Sequence, residues 1–183
     1  MSRRFFVAAL LSAPLACASA KAPAAFVPPW FEIPRRLETP QYILRPLVVA
    51  DAGRDFEAVT ASERQLREIF PDSDWPSGLT LDADREELQA HEALFTAGRA
   101  FAYAVMSLDG QEVMGSVYIN PSSKVGYDAE VYLWRRAARL GSPEDRALEL
   151  MVRRWLEDAW PFERPALPGR TVSWAEWRVL PDR

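Results

Sequence analysis

At 183 residues, 49% of them apolar and 26% charged, the chain has enough hydrophobic mass for one core and too little length for two ordinary domains. Its 22 Lys and Arg against 26 Asp and Glu give a net charge of -4. That balance argues against general binding to a nucleic-acid backbone, which needs a surplus of cations facing the phosphates. Neither repeats nor sustained heptads support a solenoid, a coiled coil or a fibre.

In MSRRFFVAALLSAPLACASAKA two arginines precede an apolar run from Phe5 to Ala18, and Ala18-Ser19-Ala20 supplies the small residues a signal peptidase accepts. Residues 1–20 are therefore expected to be a cleavable export signal. Ser2-Arg3-Arg4-Phe5-Phe6-Val7 resembles the bacterial twin-arginine pattern, although its final lysine is missing. The alternative is a cytoplasmic chain with a wrongly chosen start codon. No stable membrane span is expected, because the run is short and Pro14 interrupts it. Cys17, the single cysteine, falls within the signal, so the processed chain is expected to hold no disulfide and no thiolate metal site, and no metal is called for. Losing residues 1–20 removes two arginines and no acid, which leaves an acidic protein.

From Lys21 to Pro40 alanine and proline dominate, and proline's fixed φ and missing N–H disfavour a helix. Residues 21–40 are expected to form an extended linker, with Phe26, Trp30 and Phe31 free to pack on a domain over residues 41–183. That domain opens with a short strand in YILRPL, residues 42–47, ended by Pro46. Asp51 is placed to cap a helix with Phe56 and Val59 on its buried stripe. Ser62 and Gln65 have the spacing of a capping box for a second short helix through Phe70. Leu81, Leu88 and Phe95 recur at heptad steps, with Leu94 beside them and Gly98 as a stop, which predicts an amphipathic helix. His91, the only histidine, lies near that stripe. With no second histidine or available cysteine to complete a metal or nucleophile set, it is expected to be a half-buried helix residue, a catalytic role being the alternative.

FAYAVMSLDGQEVMGSVYINP reads as two antiparallel strands joined around Asp109-Gly110, with Gly115 marking a bulge or a close backbone approach. AEVYLWRR alternates, with Val131 and Leu133 on one face and Glu130, Tyr132 and Trp134 on the other. A helix follows, with Ser142 as N-cap, Pro143 in its first turn and Asp145 near the positive end of its dipole. Leu148, Met151, Val152, Trp155 and Ala159 form its apolar stripe, and Pro161 ends it. The remaining FERPALPGRTVSWAEWRVLPDR has room for one short strand and a terminal aromatic turn or helix. Between the AEVYLWRR strand and its helix lies an arginine-rich turn. It is either a cradle for a phosphorylated cofactor or a connection whose Arg135, Arg136 and Arg139 are simply solvated.

This order of elements resembles the GCN5-related N-acetyltransferase superfamily, particularly its ribosomal-protein and small-molecule branch. ETPQYILRPLVVADA is similar to its opening strand and helix entry, EVMGSVYINP to its third strand, AEVYLWRR to its fourth, and the arginine-rich turn to its cofactor turn. The likeness covers roughly residues 38–163 by pattern rather than by signature. It implies an α/β (α+β) fold: a single domain with a mixed, mainly antiparallel central sheet flanked by helices.

It also implies acetyl-coenzyme A as co-substrate and a small-molecule or peptide amine as acceptor. In the superfamily's Arg/Gln-x-x-Gly-x-Gly/Ala motif, bare amides at a helix start bind the pyrophosphate. Arg136 and Gly141 match that pattern, while Arg139 replaces its first glycine, where the side chain either crowds the pyrophosphate or clamps a phosphate. The cofactor residues implied are Val131 and Leu133 on the strand and Arg136, Arg139, Gly141 and Ser142 in the turn. In the family, pantetheine lies against the splayed fourth strand, a carboxylate assists amine deprotonation, and often a tyrosine protonates the departing thiolate. By that resemblance Glu130 is the carboxylate, Tyr132 the acid and Tyr118 the second candidate. The acidic FPDSDW, residues 70–75, would attract an amine to the site mouth. The alternative function is a non-catalytic, exported binding module on the same fold, which the export signal favours because acetyl-coenzyme A is a cytoplasmic metabolite.

Overall fold

Alternating apolar residues become strands, and their order along the chain is their order in the sheet. The structure, a computed structural model, describes residues 25–183. Within them β1 (Leu37–Glu38), β2 (Ile43–Pro46), β3 (Phe101–Met106), β4 (Val113–Pro121), β5 (Ala129–Arg135) and β6 (Pro165–Ala166) lie side by side in that sequence. Pairing is antiparallel from β1 to β5. β6 runs parallel to β5 and meets it only where Ala129 faces Pro165 and Glu130 faces Ala166. Past Glu130 the two strands part and leave a fork. The helices are α1 (Ala52–Thr60), α2 (Glu63–Ile69), α3 (Leu81–Thr96), α4 (Pro143–Ala159) and α5 (Trp174–Val179). The export signal expected over residues 1–20 lies outside the described residues.

The two-residue period of the strands divides the core between the faces of the sheet. On one face Val117, Ile119, Val131 and Leu133 pack with Leu148, Val152, Trp155 and Leu156 of α4. On the other Ala102, Ala104, Met106 and Trp134 pack with Val59 of α1, Leu66 of α2 and Leu88 of α3. Gly115 lies where β3 and β4 shift register beside Val105, and its φ is +150°. A Cβ there would stand 2.1 Å from the Trp134 carbonyl oxygen, so the strands approach too closely for any side chain.

Several expectations change. Residues 25–40 form no helix, as their prolines require, and turn once where the Phe31 amide donates to the Pro28 carbonyl, yet they are part of the domain rather than a linker. Val27 is buried, Phe26 stacks on Phe101 at 5.6 Å and on Phe162 at 5.1 Å, the Tyr103 hydroxyl donates to the Pro34 carbonyl at 2.6 Å, and β1 extends the sheet. Burying aromatic area outweighs the ordering of that segment. On α1 the inward residue is Asp55, not Phe56, which is half-buried. Asp51 makes no side-chain cap to α1; its buried carboxylate pairs with Arg45 at 2.6 Å and Arg54 at 2.5 Å. The Ser62 and Gln65 capping box does not form either. The Gln65 amide instead donates to the Arg135 carbonyl at 2.8 Å and ties α2 to the end of β5. Ser142 does cap α4, accepting from the Asp145 amide with Pro143 in the first turn, and Gly98 follows α3 at φ +65°. The terminal segment supplies β6 and α5, the latter opened by a Ser173–Glu176 capping box.

Candidate active site

A cavity of about 430 Å³ opens on the sheet face covered by α1 to α3. Register builds its floor from Tyr118, Tyr132 and Asn120: Tyr118 faces Tyr132 across β4 and β5, and the pleat turns Asn120 of β4 to the same side. Glu87 and His91, one turn apart on α3, form one wall. The loop after α2 brings Phe70, Asp72, Ser73 and Trp75, and the start of α5 adds Trp174.

The rings touch one another around the opening. His91 lies 5.4 Å from Tyr118, Phe70 lies 5.6 Å from Trp75 and 5.5 Å from Tyr132, and Tyr132 lies nearly parallel to Trp174 at 6.4 Å. The Trp75 indole N–H donates to Glu87 Oε2 at 3.2 Å, which orients the carboxylate. At the rim Asp72 pairs with Arg178 at 2.8 Å, and that guanidinium lies 5.9 Å over Trp174. Aromatic faces with a carboxylate among them attract a cation.

Burial sets the protonation of the walls. It raises the Glu87 carboxyl, with the Trp75 bond opposing, and it lowers the His91 imidazole, which is therefore neutral at pH 7. It also pushes the Tyr118 and Tyr132 hydroxyls well above the ordinary phenol range, so both keep their protons. Nearby carboxylates add to that rise, Asp55 for Tyr118 and Glu130 for Tyr132. On the same side of the sheet, on α1 and α3, lie two buried aspartates, Asp55 and Asp84, each with one oxygen that meets no donor among the described residues. The two carboxyls are hydrogen-bonded to each other when one of them carries a proton. Burial, then the charge of Asp84, pushes Asp55 up to about 8, whereas Asp84 rises to about 6 through burial and the Glu87 charge.

The residues expected to be catalytic divide. Tyr118 and Tyr132 line the cavity. Glu130 is not among the lining residues; its Oε2 accepts from the Ser123 amide at 3.1 Å and the Ser123 hydroxyl at 3.0 Å, and its Oε1 accepts from the Tyr132 hydroxyl at 3.4 Å. It stands behind Tyr132. Glu87, Asn120 and Trp174 were not singled out from the sequence; Phe70, Asp72, Ser73 and Trp75 belong to the FPDSDW stretch expected at the site mouth, and His91 was expected to be a half-buried helix residue with a catalytic role as the alternative. The legible signal was the four-residue step from Glu87 to His91 beside an apolar stripe.

The residues expected to hold a cofactor surround the fork, and they are already engaged. Val131 and Leu133 bury their side chains on the α4 side, so only backbone faces the fork. There Arg170, with its side chain 4% exposed, donates from Nη2 to the Leu133 carbonyl at 3.2 Å. The same guanidinium reaches both Asp145 oxygens, at 2.8 and 2.9 Å, and Glu149 at 3.0 Å. In the turn, the Arg136 amide donates to Met114 at 2.7 Å, Ala138 to Arg135 at 3.2 Å and Ser142 to Arg139 at 2.9 Å. The Gly141 amide donates to Asp145 Oδ2 at 2.8 Å. Asp145 is thus fully buried and bonded on both sides, not merely a charge at the helix dipole. Arg136 is half-buried and Arg139 is exposed. Coenzyme A does not fit beside these groups as they stand: the amides of Arg136, Ala138, Gly141 and Ser142 donate within the chain, and Arg170 occupies the fork. Among the described residues no set of three or more His, Cys, Asp or Glu side chains could hold a metal ion, and no helix is long and apolar enough to cross a membrane.

No protein-family model and no curated protein matches the chain. Solved structures do. A probable acetyltransferase matches with a TM-score of 0.56 at 15% identity over 72% of each chain. The ribosomal-protein-S5-alanine acetyltransferase of Vibrio fischeri matches with a TM-score of 0.51 at 14% identity over 67% of each chain. RimL, a ribosomal L7/L12 alpha-N-protein acetyltransferase in complex with coenzyme A, matches with a TM-score of 0.50 at 18% identity. That match covers 67% of this chain and 66% of RimL, just under two thirds of the latter. The fold is that of the GCN5-related N-acetyltransferases.

Proposed function

We propose that the protein is an N-acetyltransferase that admits the cationic end of a small-molecule or peptide amine into the aromatic pocket, with acetyl-coenzyme A as the donor. The observation that carries this reading is the pocket itself: rings from four separate elements close around Glu87 and a neutral His91 on the sheet face of an acetyltransferase fold. An ammonium gains from the ring faces and from Glu87 on entry. It must lose a proton before its lone pair can attack a carbonyl, and His91 is an unprotonated acceptor on the wall. Tyr118 and Tyr132 stay protonated and act as hydrogen-bond donors. Glu130 holds the Tyr132 hydroxyl in place and acts through it.

The test is transfer itself. The purified protein, given acetyl-coenzyme A and mixed pools of small amines and peptides, is expected to yield an acetylated product detectable by mass spectrometry. A folded preparation that acetylates nothing across those pools overturns the proposal.

A further inference from the structure

We propose that Arg170 is a latch on the fork between β5 and β6, one that keeps coenzyme A out until its phosphates draw the guanidinium away from Asp145 and Glu149. This rests on the acetyltransferase reading of the fold. Pairing between β5 and β6 stops at Glu130, so the Leu133 carbonyl lies beyond the paired segment, and it is Arg170 that caps it. The guanidinium is held by a fixed pair of carboxylates, and a pyrophosphate offers the same planar donor fork equivalent oxygens with more charge. Asp145 links two obstructions, because it accepts from the Gly141 amide in the turn as well as from Arg170. Both therefore depend on the position of this one carboxylate.

The latch also touches the acceptor pocket. Arg170 follows Gly169, which has φ +77° and packs so closely against the Trp174 indole that a Cβ would fall 2.4 Å from Nε1. Trp174 is a wall of the pocket. Displacing the turn that carries Arg170 therefore shifts the ring against which an amine would bind, which couples cofactor entry to acceptor binding.

The experiment is stopped-flow association of coenzyme A with the full chain, read by tryptophan fluorescence, in wild type, Arg170→Gln and Glu149→Gln. Glu149→Gln trims the latch at its more exposed partner and leaves the Asp145 bonds to Gly141 and Arg170 in place, so it tests the idea even if Arg170→Gln fails to fold. Weakening the single bond to Glu149 is expected to speed association about tenfold in Glu149→Gln, and Arg170→Gln, which removes the whole guanidinium, is expected to speed it by at least as much. Measurable binding with unchanged association rates in the folded variants overturns the latch and leaves the acetyltransferase reading standing. Absence of binding in all three overturns both.

Discussion

The proton shared by Asp55 of α1 and Asp84 of α3 gives the fold a pH dependence of unusual sign. Asp55 is 2% exposed, and its carboxyl is pushed up to about 8, first by burial and then by the Asp84 charge. A carboxyl whose folded pKa is raised binds its proton more tightly in the native state than in the unfolded chain. Its contribution is complete below the unfolded value near 4 and is lost as pH rises through the folded value. Between pH 7 and 8.5 the native proton is lost while the unfolded chain has none to lose, which at about 1.4 kcal/mol per pH unit amounts to a loss on the order of 1 kcal/mol. The window is well isolated. The carboxylates held low by their partners, such as Asp51, act at more acid pH, the buried tyrosines act above it, and His91, whose shift has the opposite sign, acts mainly below it. Asp55→Asn supplies a permanent N–H donor to Asp84 at every pH. Urea unfolding followed by tryptophan fluorescence at pH 7 and 8.5 is therefore expected to show the loss in wild type and a nearly flat response in the variant. Equal slopes in the two proteins would refute the shared proton.

Gly115→Ala is expected to destabilise the domain by roughly 2 to 4 kcal/mol, since the new Cβ meets the Trp134 carbonyl oxygen at a backbone that cannot retreat without breaking the β4–β5 pairing. A thermal midpoint unchanged from wild type would contradict that close approach. The protein recovered from its native host is expected to begin at Lys21, and replacing Arg3 and Arg4 with lysine is expected to hold the precursor in the cytoplasm. Finding the full unprocessed chain in the cytoplasm would rule out the export signal.

Local periodicity made much of the fold legible. Strands β4 and β5 follow the two-residue alternation, whereas β3 is an apolar run buried at every position; α4 follows its apolar stripe and its cap residues Ser142 and Pro143, and α3 stops at Gly98 and buries Leu88 and Phe95 but exposes Leu81 and turns Asp84 inward. What failed depended on partners far along the chain. Asp51 and Ser62 have the residue types of helix caps, but Arg45 and Arg54 claim the first, and the second is buried without a partner among the described residues. Asp145 looked like a dipole charge because Arg170, 25 residues later, gives no local sign that it returns to α4. Phe26 and Phe31 sit among prolines, and the surfaces of Phe101, Trp160 and Phe162 explain their packing, whereas Trp30 stays exposed. The pocket was half visible. Tyr118 and Tyr132 followed from the family resemblance and Trp75 from its acidic stretch, whereas Trp174 comes from a terminal segment whose position periodicity does not encode.

The claim that amine acetylation takes place in the aromatic pocket is tested most directly by steady-state acetyl transfer in wild type, Tyr132→Phe and His91→Gln, with coenzyme A affinity measured alongside. Removing the floor hydroxyl or the wall base is expected to lower kcat by about 10²-fold, the ordinary scale of a lost general acid or base, with coenzyme A affinity unchanged. Transfer that proceeds at the wild-type rate in both variants, each shown to be folded, would place the chemistry elsewhere and contradict the account.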